Sequence, residues 1–132
     1  MFTLDKRLEN DTFLIKDLEN FQIRLMDVEE IFWLVLIPKK PNLIELSDLN
    51  LTERNHLMNF SIELGNSIKS LLNYDKINIG MLGNVVSQLH IHVLFRKIDD
   101  VAWPGPVWGR EYSKLDKKTK EYRTKLVSDF SF

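Results

Sequence analysis

The most informative segment of the chain is Gln88-Leu89-His90-Ile91-His92-Val93-Leu94. Polar and apolar residues alternate along it, which is the pattern of a β-strand with one buried face. Because successive side chains of a strand point to opposite faces, we predict a strand over residues 87–96 with Gln88, His90 and His92 on one face. An imidazole that is removed from water needs a polar partner, so this arrangement indicates a functional site.

The length and composition predict one compact, globular domain over residues 1–132. Of these residues 44% are hydrophobic and 28% are charged, which is ordinary for a folded soluble protein. The 18 Lys and Arg residues are balanced by 19 Asp and Glu, so we expect no general binding of nucleic acid. The absence of cysteine excludes disulfides, a thiolate nucleophile and a thiolate metal site.

The amino terminus and the apolar runs predict a cytoplasmic protein that does not bind membranes. Residues 1–7 include charged side chains and lack the long apolar core of a signal peptide. The longest apolar run, residues 31–37, is much shorter than the roughly 20 residues that span a bilayer.

The other segments predict an α+β fold with five strands and a long helix. We expect a hairpin around Glu19-Asn20, and a third strand that ends at Pro38, where the ladder loses a donor. Apolar residues then recur every three or four positions, which predicts a helix from residue 51 to about 73 with Thr52 as its N-cap. Gly65 would let this helix approach the sheet closely. The predicted strands cover residues 12–18, 21–27, 32–37, 76–81 and 87–96.

Two features follow the last predicted strand. Residues 103–109 are too rich in Pro and Gly for regular structure and too aromatic for a solvent-exposed loop, so we expect them to pack against the rest of the chain. Trp103 and Trp108 could form a stacking platform for a base, although a core or dimer contact is the more common use of such a pair. Residues 114–127 are strongly charged with few apolar positions, which predicts a peripheral C-terminal helix.

Imidazole chemistry suggests what the polar face of residues 88–92 could do. A neutral imidazole can attack phosphorus and form a phosphoramidate that water later cleaves, and His90 is central enough for that role. His92 lies about 6–7 Å further along the same face and could bind a phosphate oxygen, and Gln88 could bind another or orient a neighbour. Further donors are available in the Gly83-Asn84 turn and in the Asn78 side chain.

The two histidines alone leave three interpretations open: a structural pair, a metal-binding pair and a catalytic pair. A zinc site needs a third protein ligand, and His56, Asp99 and Asp100 do not stand at a diagnostic spacing. Spacing by itself does not decide among the three interpretations, and no cofactor site is predicted.

Residues 88–94 also resemble the motif of the histidine triad (HIT) superfamily, in which three histidines alternate with hydrophobic residues. Residues 34–40 are similar to the family's strand ending in Ile-Pro-Lys, and Asn78-Ile79-Gly80 with Gly83-Asn84 resembles its phosphate-contacting segment. The Trp103-Pro104 turn is found in some members. The resemblance covers about residues 12–109 and leaves residues 110–132 as a C-terminal extension.

The resemblance implies roles for individual residues. His90 matches the family's nucleophile, and His92 matches the histidine that contacts the scissile phosphate. Gln88 replaces the first histidine, as in a subgroup with glutamine at this position, and could affect leaving-group protonation or histidine orientation. Asn84 stands where the family has a phosphate-binding glutamine, and Asp27 matches an acidic residue that holds the ribose.

The resemblance also implies a fold and an activity. The fold is an antiparallel sheet of about five strands with one long helix packed on it, commonly paired as a homodimer. The activity is metal-independent hydrolysis or nucleotidyl transfer at the α-phosphate of a dinucleoside polyphosphate, such as diadenosine tetraphosphate, or of a nucleoside phosphoramidate. The alternatives are a regulatory protein that binds nucleotides with little or no turnover and a metal protein that uses the two histidines.

Overall fold

The computed structural model describes residues 1–131, which form a five-stranded antiparallel sheet and three α-helices. This architecture confirms the predicted α+β fold with a long helix and a C-terminal helix. Position 132 of the predicted extension lies outside the described residues. The elements are α1 (Lys6–Asp11), β1 (Thr12–Asp17), β2 (Phe21–Met26), β3 (Phe32–Pro38), α2 (Leu51–Leu72), β4 (Lys76–Gly80), β5 (Ile91–Arg96) and α3 (Lys117–Ser128).

The strand order is β1-β2-β3-β5-β4, so β3 is the central strand. Every residue of β3 is buried, in agreement with its nearly continuous apolar sequence. Phe32, Leu34 and Leu36 face the core shared with α2 and α3. Trp33 and the apolar residues that alternate with them belong to a second cluster on the opposite face, which includes Leu8 of α1. The sheet is therefore covered on both sides.

The helix α2 packs against β4 and β5 at Gly65. A Cβ atom at this position would lie 3.3 Å from Cδ1 of Ile77 and 3.6 Å from Cγ1 of Val93. The predicted close contact is confirmed. The predicted N-cap is wrong, because Asn50 and not Thr52 accepts the hydrogen bond from the amide of Glu53, at 2.8 Å. The Glu53 carboxylate accepts a hydrogen bond from the backbone N–H of Asn50 in return, so the two residues form a capping box.

The last strand is shorter than residues 87–96. Its ladder begins at Ile91, which lies opposite Leu36 of β3, and the β4 ladder ends where Gly80 meets His92. Residues 87–90 therefore lack partner strands on the sheet, and Leu89 instead donates its amide hydrogen to the carbonyl of Leu43. The prediction that residues 87–90 extend the strand is wrong for this reason.

The second face of the sheet is covered by segments that the sequence patterns did not assign to helix or strand. The short helix α1 follows an N-cap at Asp5, and the irregular segment after β5 buries Val107 completely. The guanidinium of Arg96 binds the Asp100 carboxylate at 2.7 Å and the carbonyl of Gly105, which holds this segment in place. The expected packing of residues 103–109 is confirmed. No helix within residues 1–131 has the length and apolar character needed to cross a membrane.

Candidate active site

A cavity of about 370 Å³ lies on this second face, beside the N-terminal end of β5. Its wall is formed by the short helix α1, by the sheet, and by the loops on either side of β5. Among the residues that line it are Arg7, Leu8, Asp11, Met26, Trp33, Asn84, Val86, His90, His92 and Trp108. The cavity brings His90 and His92 together, with their ring centroids 4.8 Å apart.

The main chain sets the tautomer of His90. Its Nδ1 lies 2.6 Å from the backbone carbonyl oxygen of Gln88. Because a carbonyl oxygen can only accept, the Nδ1 atom must carry the proton and donate it. The Nε2 atom of a neutral His90 therefore holds a free lone pair, which is the form of imidazole that can attack an electrophile.

A tryptophan sets the opposite tautomer in His92. The indole Nε1 of Trp33 donates to Nδ1 of His92 over 2.9 Å. An indole nitrogen can only donate, so Nδ1 must accept and the proton of the neutral ring lies on Nε2. That Nε2 atom is buried and has no hydrogen-bond partner within residues 1–131. His92 thus presents an unused N–H donor beside His90.

Burial keeps His92 neutral. It is mostly desolvation that lowers the pKa of His92 from 6.5 to about 3, and the adjacent His90 opposes a second positive charge. The donor at Nε2 is therefore a neutral N–H group at physiological pH. An unsatisfied donor of this kind costs free energy in the folded protein and favours a ligand that accepts from it.

Trp108 completes the wall around His92. Its ring centroid lies 5.3 Å from that of His92 and 6.3 Å from that of Trp33, in edge-to-face orientations. Gly80 lies beneath it, and a Cβ atom there would come within 3.1 Å of the Trp108 ring. A small residue at position 80 therefore allows the indole to lie close to the sheet.

The Gly83-Asn84 turn lies at the site, as the sequence predicts. Asn84 lines the main cavity, and together with Gly83 and His90 it also lines a second cavity of about 310 Å³. The turn is tight, because a Cβ atom at Gly83 would lie 2.9 Å from the carbonyl oxygen of Val86. Two cavities thus meet at His90 and Asn84.

Three of the predicted substrate-binding residues have partners outside the cavity wall. The Asn78 side chain accepts a hydrogen bond from Arg96 at 2.9 Å, and Trp103 packs on the same guanidinium at 5.6 Å. The Asp27 carboxylate accepts from the amide of Leu115 at 2.8 Å. These contacts bind the C-terminal segments to the sheet. A nucleotide role for these three residues remains a prediction.

Sequence reasoning did not assign Trp33 or the polar residues of α1 to the site, and it considered Trp108 only as part of a possible stacking platform. Trp33 lies opposite Leu94 in the β3–β5 register, which places it diagonally across from His92. Strand alternation alone puts Trp33 on one face of β3, and the register is needed to bring it to His92. Within the part of the chain that the structure describes, no group of three His, Asp or Glu side chains is arranged to hold a metal ion.

The fold and the histidine pair define a class of protein, and comparisons with known proteins agree with it. The model of the HIT domain matches residues 7–98 of this chain. No curated protein sequence matches the chain. The chain therefore belongs to the HIT family, within a superfamily of nucleotide-binding proteins and hydrolases.

Solved structures of the family superpose closely on this chain. A histidine triad protein from Bradyrhizobium japonicum is 32% identical with a TM-score of 0.91, and the match covers 96% of this chain and 95% of that protein. A histidine triad (HIT) protein from Sinorhizobium meliloti is 35% identical with a TM-score of 0.90, covering 96% and 94%. One from Marinobacter aquaeolei is 31% identical with a TM-score of 0.90, covering 95% and 92%.

Proposed function

We propose that this protein hydrolyses or transfers a nucleotidyl group at the α-phosphate of a dinucleoside polyphosphate or a nucleoside phosphoramidate. The reaction would proceed through a covalent nucleotidyl intermediate on His90, without a metal. The observation that carries the proposal is the pair of opposite tautomers. The two rings line one cavity with centroids 4.8 Å apart, and their hydrogen bonds at Nδ1 leave a lone pair on Nε2 of His90 and an N–H on Nε2 of His92.

In the first step the lone pair of His90 Nε2 attacks the α-phosphorus. A P–N bond forms while the bond from phosphorus to the leaving group breaks. A phosphate leaving group departs with that electron pair as an anion, and an amine leaving group also takes up a proton from solvent. The Nε2–H group of His92 donates to a non-bridging phosphate oxygen, where negative charge increases in the transition state. The Gln88 carbonyl stabilises the positive charge that develops on the His90 ring.

In the second step water attacks the same phosphorus. The new P–O bond replaces the P–N bond, whose electron pair returns to Nε2 of His90, and the attacking water transfers a proton to solvent as the nucleoside monophosphate is released. Another nucleophile in place of water would give nucleotidyl transfer. Asn84 and Arg7 line the cavity, where the Asn84 amide could donate a hydrogen bond to the bound phosphate group and Arg7 could neutralise its charge.

The rest of the cavity supports a nucleoside as the group transferred. Leu8, Met26 and Trp108 offer apolar and aromatic surface for a base, and the carboxylate of Asp11 offers an acceptor for ribose hydroxyls. Gln88 supports placing the chain in the subgroup with glutamine in the first triad position. We also propose that the protein acts as a homodimer without nucleic acid or membrane partners.

The test is a turnover assay on the purified protein in the presence of a chelator. Diadenosine tetraphosphate and an adenosine phosphoramidate are supplied, and nucleotide release is followed for the wild type and for His90→Ala. We expect turnover by the wild type, and a loss of about 100-fold or more in kcat for His90→Ala because the nucleophile is removed.

His56→Ala is the matched control, since His56 is an exposed histidine on α2 outside the cavity and should retain activity. Trapping of the wild type with labelled substrate should yield protein-bound nucleotide that is absent from His90→Ala. Binding of AMP with no turnover of either substrate would contradict hydrolysis of these classes and favour the regulatory alternative.

A further inference from the structure

We infer that Gln88 is a positioning residue whose side chain holds the N-terminal segment, residues 3–5, so that the helix α1 that follows forms one wall of the cavity. We call this contact the clamp. In this role the Gln88 side chain does not act on the reacting phosphate. The inference rests on the proposed function for its kinetic consequences. It reassigns Gln88, which resemblance to the histidine triad motif suggests as a catalytic residue.

Both polar atoms of the Gln88 side chain are bonded to one stretch of main chain. The amide nitrogen Nε2 donates to the carbonyl of Thr3 at 2.9 Å, and Oε1 accepts from the backbone N–H of Asp5 at 2.8 Å. These two backbone groups flank Leu4, and they are the pair that a neighbouring parallel strand would use. The side-chain amide therefore takes the place of a strand, with one hydrogen bond at each of its polar atoms.

The clamp is connected to the cavity through the helix α1. Asp5 is the N-cap of this helix and accepts a hydrogen bond from the amide of Arg7 at 2.8 Å. The helix then places Arg7, Leu8 and Asp11 on the cavity wall. Fixing Asp5 therefore fixes where the helix begins and where these three side chains lie.

Gln88 is bonded both to the nucleophile His90 and to the segment that leads into α1. Its backbone carbonyl holds Nδ1 of His90, while its side chain holds the segment that leads into the opposite wall. One residue thereby connects the nucleophile to the wall of the cavity that α1 forms. Loss of this positioning would therefore weaken the binding of substrate to that wall.

The chemistry of the clamp explains why glutamine suits this position. A primary amide presents a donor and an acceptor side by side in one plane, which matches the carbonyl and N–H groups that flank Leu4. A neutral imidazole also has one donor and one acceptor, but they point in diverging directions. A carboxylate has no donor for the Thr3 carbonyl. We therefore expect that neither His nor Glu can replace Gln88 in this role.

The experiment compares Gln88→Leu and Gln88→His in the full-length protein. We expect KM for the nucleotide substrate to rise by about fivefold or more in both variants, with kcat within about twofold of wild type. Amide exchange of Asp5, measured by NMR, should accelerate by about tenfold, the factor that one net hydrogen bond represents. Gln22→Leu is the same change on β2, away from the cavity. It should leave KM, kcat and the exchange rate of the Asp5 amide unchanged.

A double variant tests whether Gln88 acts through α1. Arg7→Gln alone should also raise KM, because it removes the cation from the cavity wall. If Gln88 acts by placing Arg7, then Gln88→Leu combined with Arg7→Gln should raise KM by clearly less than the product of the two single effects. If KM of the double variant instead rises by the full product of the two single effects, Gln88 does not act by placing Arg7.

Two other results would overturn the inference. A fall in kcat with unchanged KM, or higher activity in Gln88→His, would show that the side chain acts on the reacting groups. Unchanged exchange of the Asp5 amide in Gln88→Leu would show that the clamp does not hold the segment. The exchange measurement needs no turnover, so it separates failure of the clamp from failure of the proposed hydrolysis.

Discussion

At the scale of single residues, hydrogen bonds determine which nitrogen of each histidine can react. The acceptor at Gln88 and the donor at Trp33 impose opposite tautomers on two neighbouring rings, so that one can attack and the other can donate. Neither role depends on a charged histidine. The geometry therefore favours reactions in which a neutral imidazole attacks and a neutral N–H stabilises charge on a phosphate.

Trp33→Phe tests this arrangement. The variant retains an aromatic ring but loses the N–H that bonds Nδ1 of His92, so the proton of His92 can occupy either nitrogen. We expect kcat to fall by about tenfold or more, with a smaller change in KM, because the donor to the phosphate is no longer fixed. Nitrogen NMR should show mixed tautomers for His92, with exposed His56 as the internal reference. A purely Nε2-protonated His92 in the variant would contradict this role of Trp33.

The depressed pKa of His92 predicts how stability depends on pH. Between pH 6.5 and about 3 the unfolded chain protonates this histidine while the folded chain does not, so acid favours unfolding. This residue should lower the unfolding free energy by roughly 1 kcal/mol per pH unit within that window. Urea unfolding from pH 7 to pH 4 should therefore show a shallower decline for His92→Gln than for wild type. Parallel curves would contradict a neutral, buried His92.

At the scale of elements, the fit of α2 on the sheet depends on one glycine. Gly65→Leu should lower the unfolding free energy by about 1–3 kcal/mol, because the added atoms meet Ile77 and Val93 in a packed core. Asn66→Leu, on an exposed position of the same helix, should change stability by less than about 0.5 kcal/mol. Denaturant unfolding measures the unfolding free energy of both variants. Equal losses in the two would show that the close contact at Gly65 does not limit packing.

Element prediction was accurate where periodicity and burial agree. The apolar run of β3 and the helical spacing of α2 were both assigned, because each buries a face large enough to dominate its local conformation. Residues 87–90 have the alternation of a strand but no neighbouring strands to pair with. The alternation of polar and apolar residues indicates which side chains are buried. A strand forms only where a neighbouring strand can also accept and donate its backbone hydrogen bonds.

At the scale of the whole molecule, the arrangement of the sheet bears on assembly. The strand β4 lies at one edge, and Met81 and Leu82, just beyond it, are 42% and 41% exposed. We predict a homodimer, because exposed apolar side chains beside an unpaired strand edge favour association. Light scattering after size exclusion should give twice the chain mass of 15.6 kDa. A monomer across micromolar concentrations would contradict the prediction.

By itself the sequence determined the α+β class, the apolar strand β3, the long helix and the histidine pair, because periodicity and residue chemistry are local properties. The predicted place of the Gly83-Asn84 turn beside His90 also agrees with the structure. Tertiary structure alone decided which partners these residues have. Trp33 and His92 are 59 positions apart, and Gln88 is 83 positions from Asp5. Contacts between such distant residues depend on strand register and on how the termini cover the sheet, which no local pattern encodes.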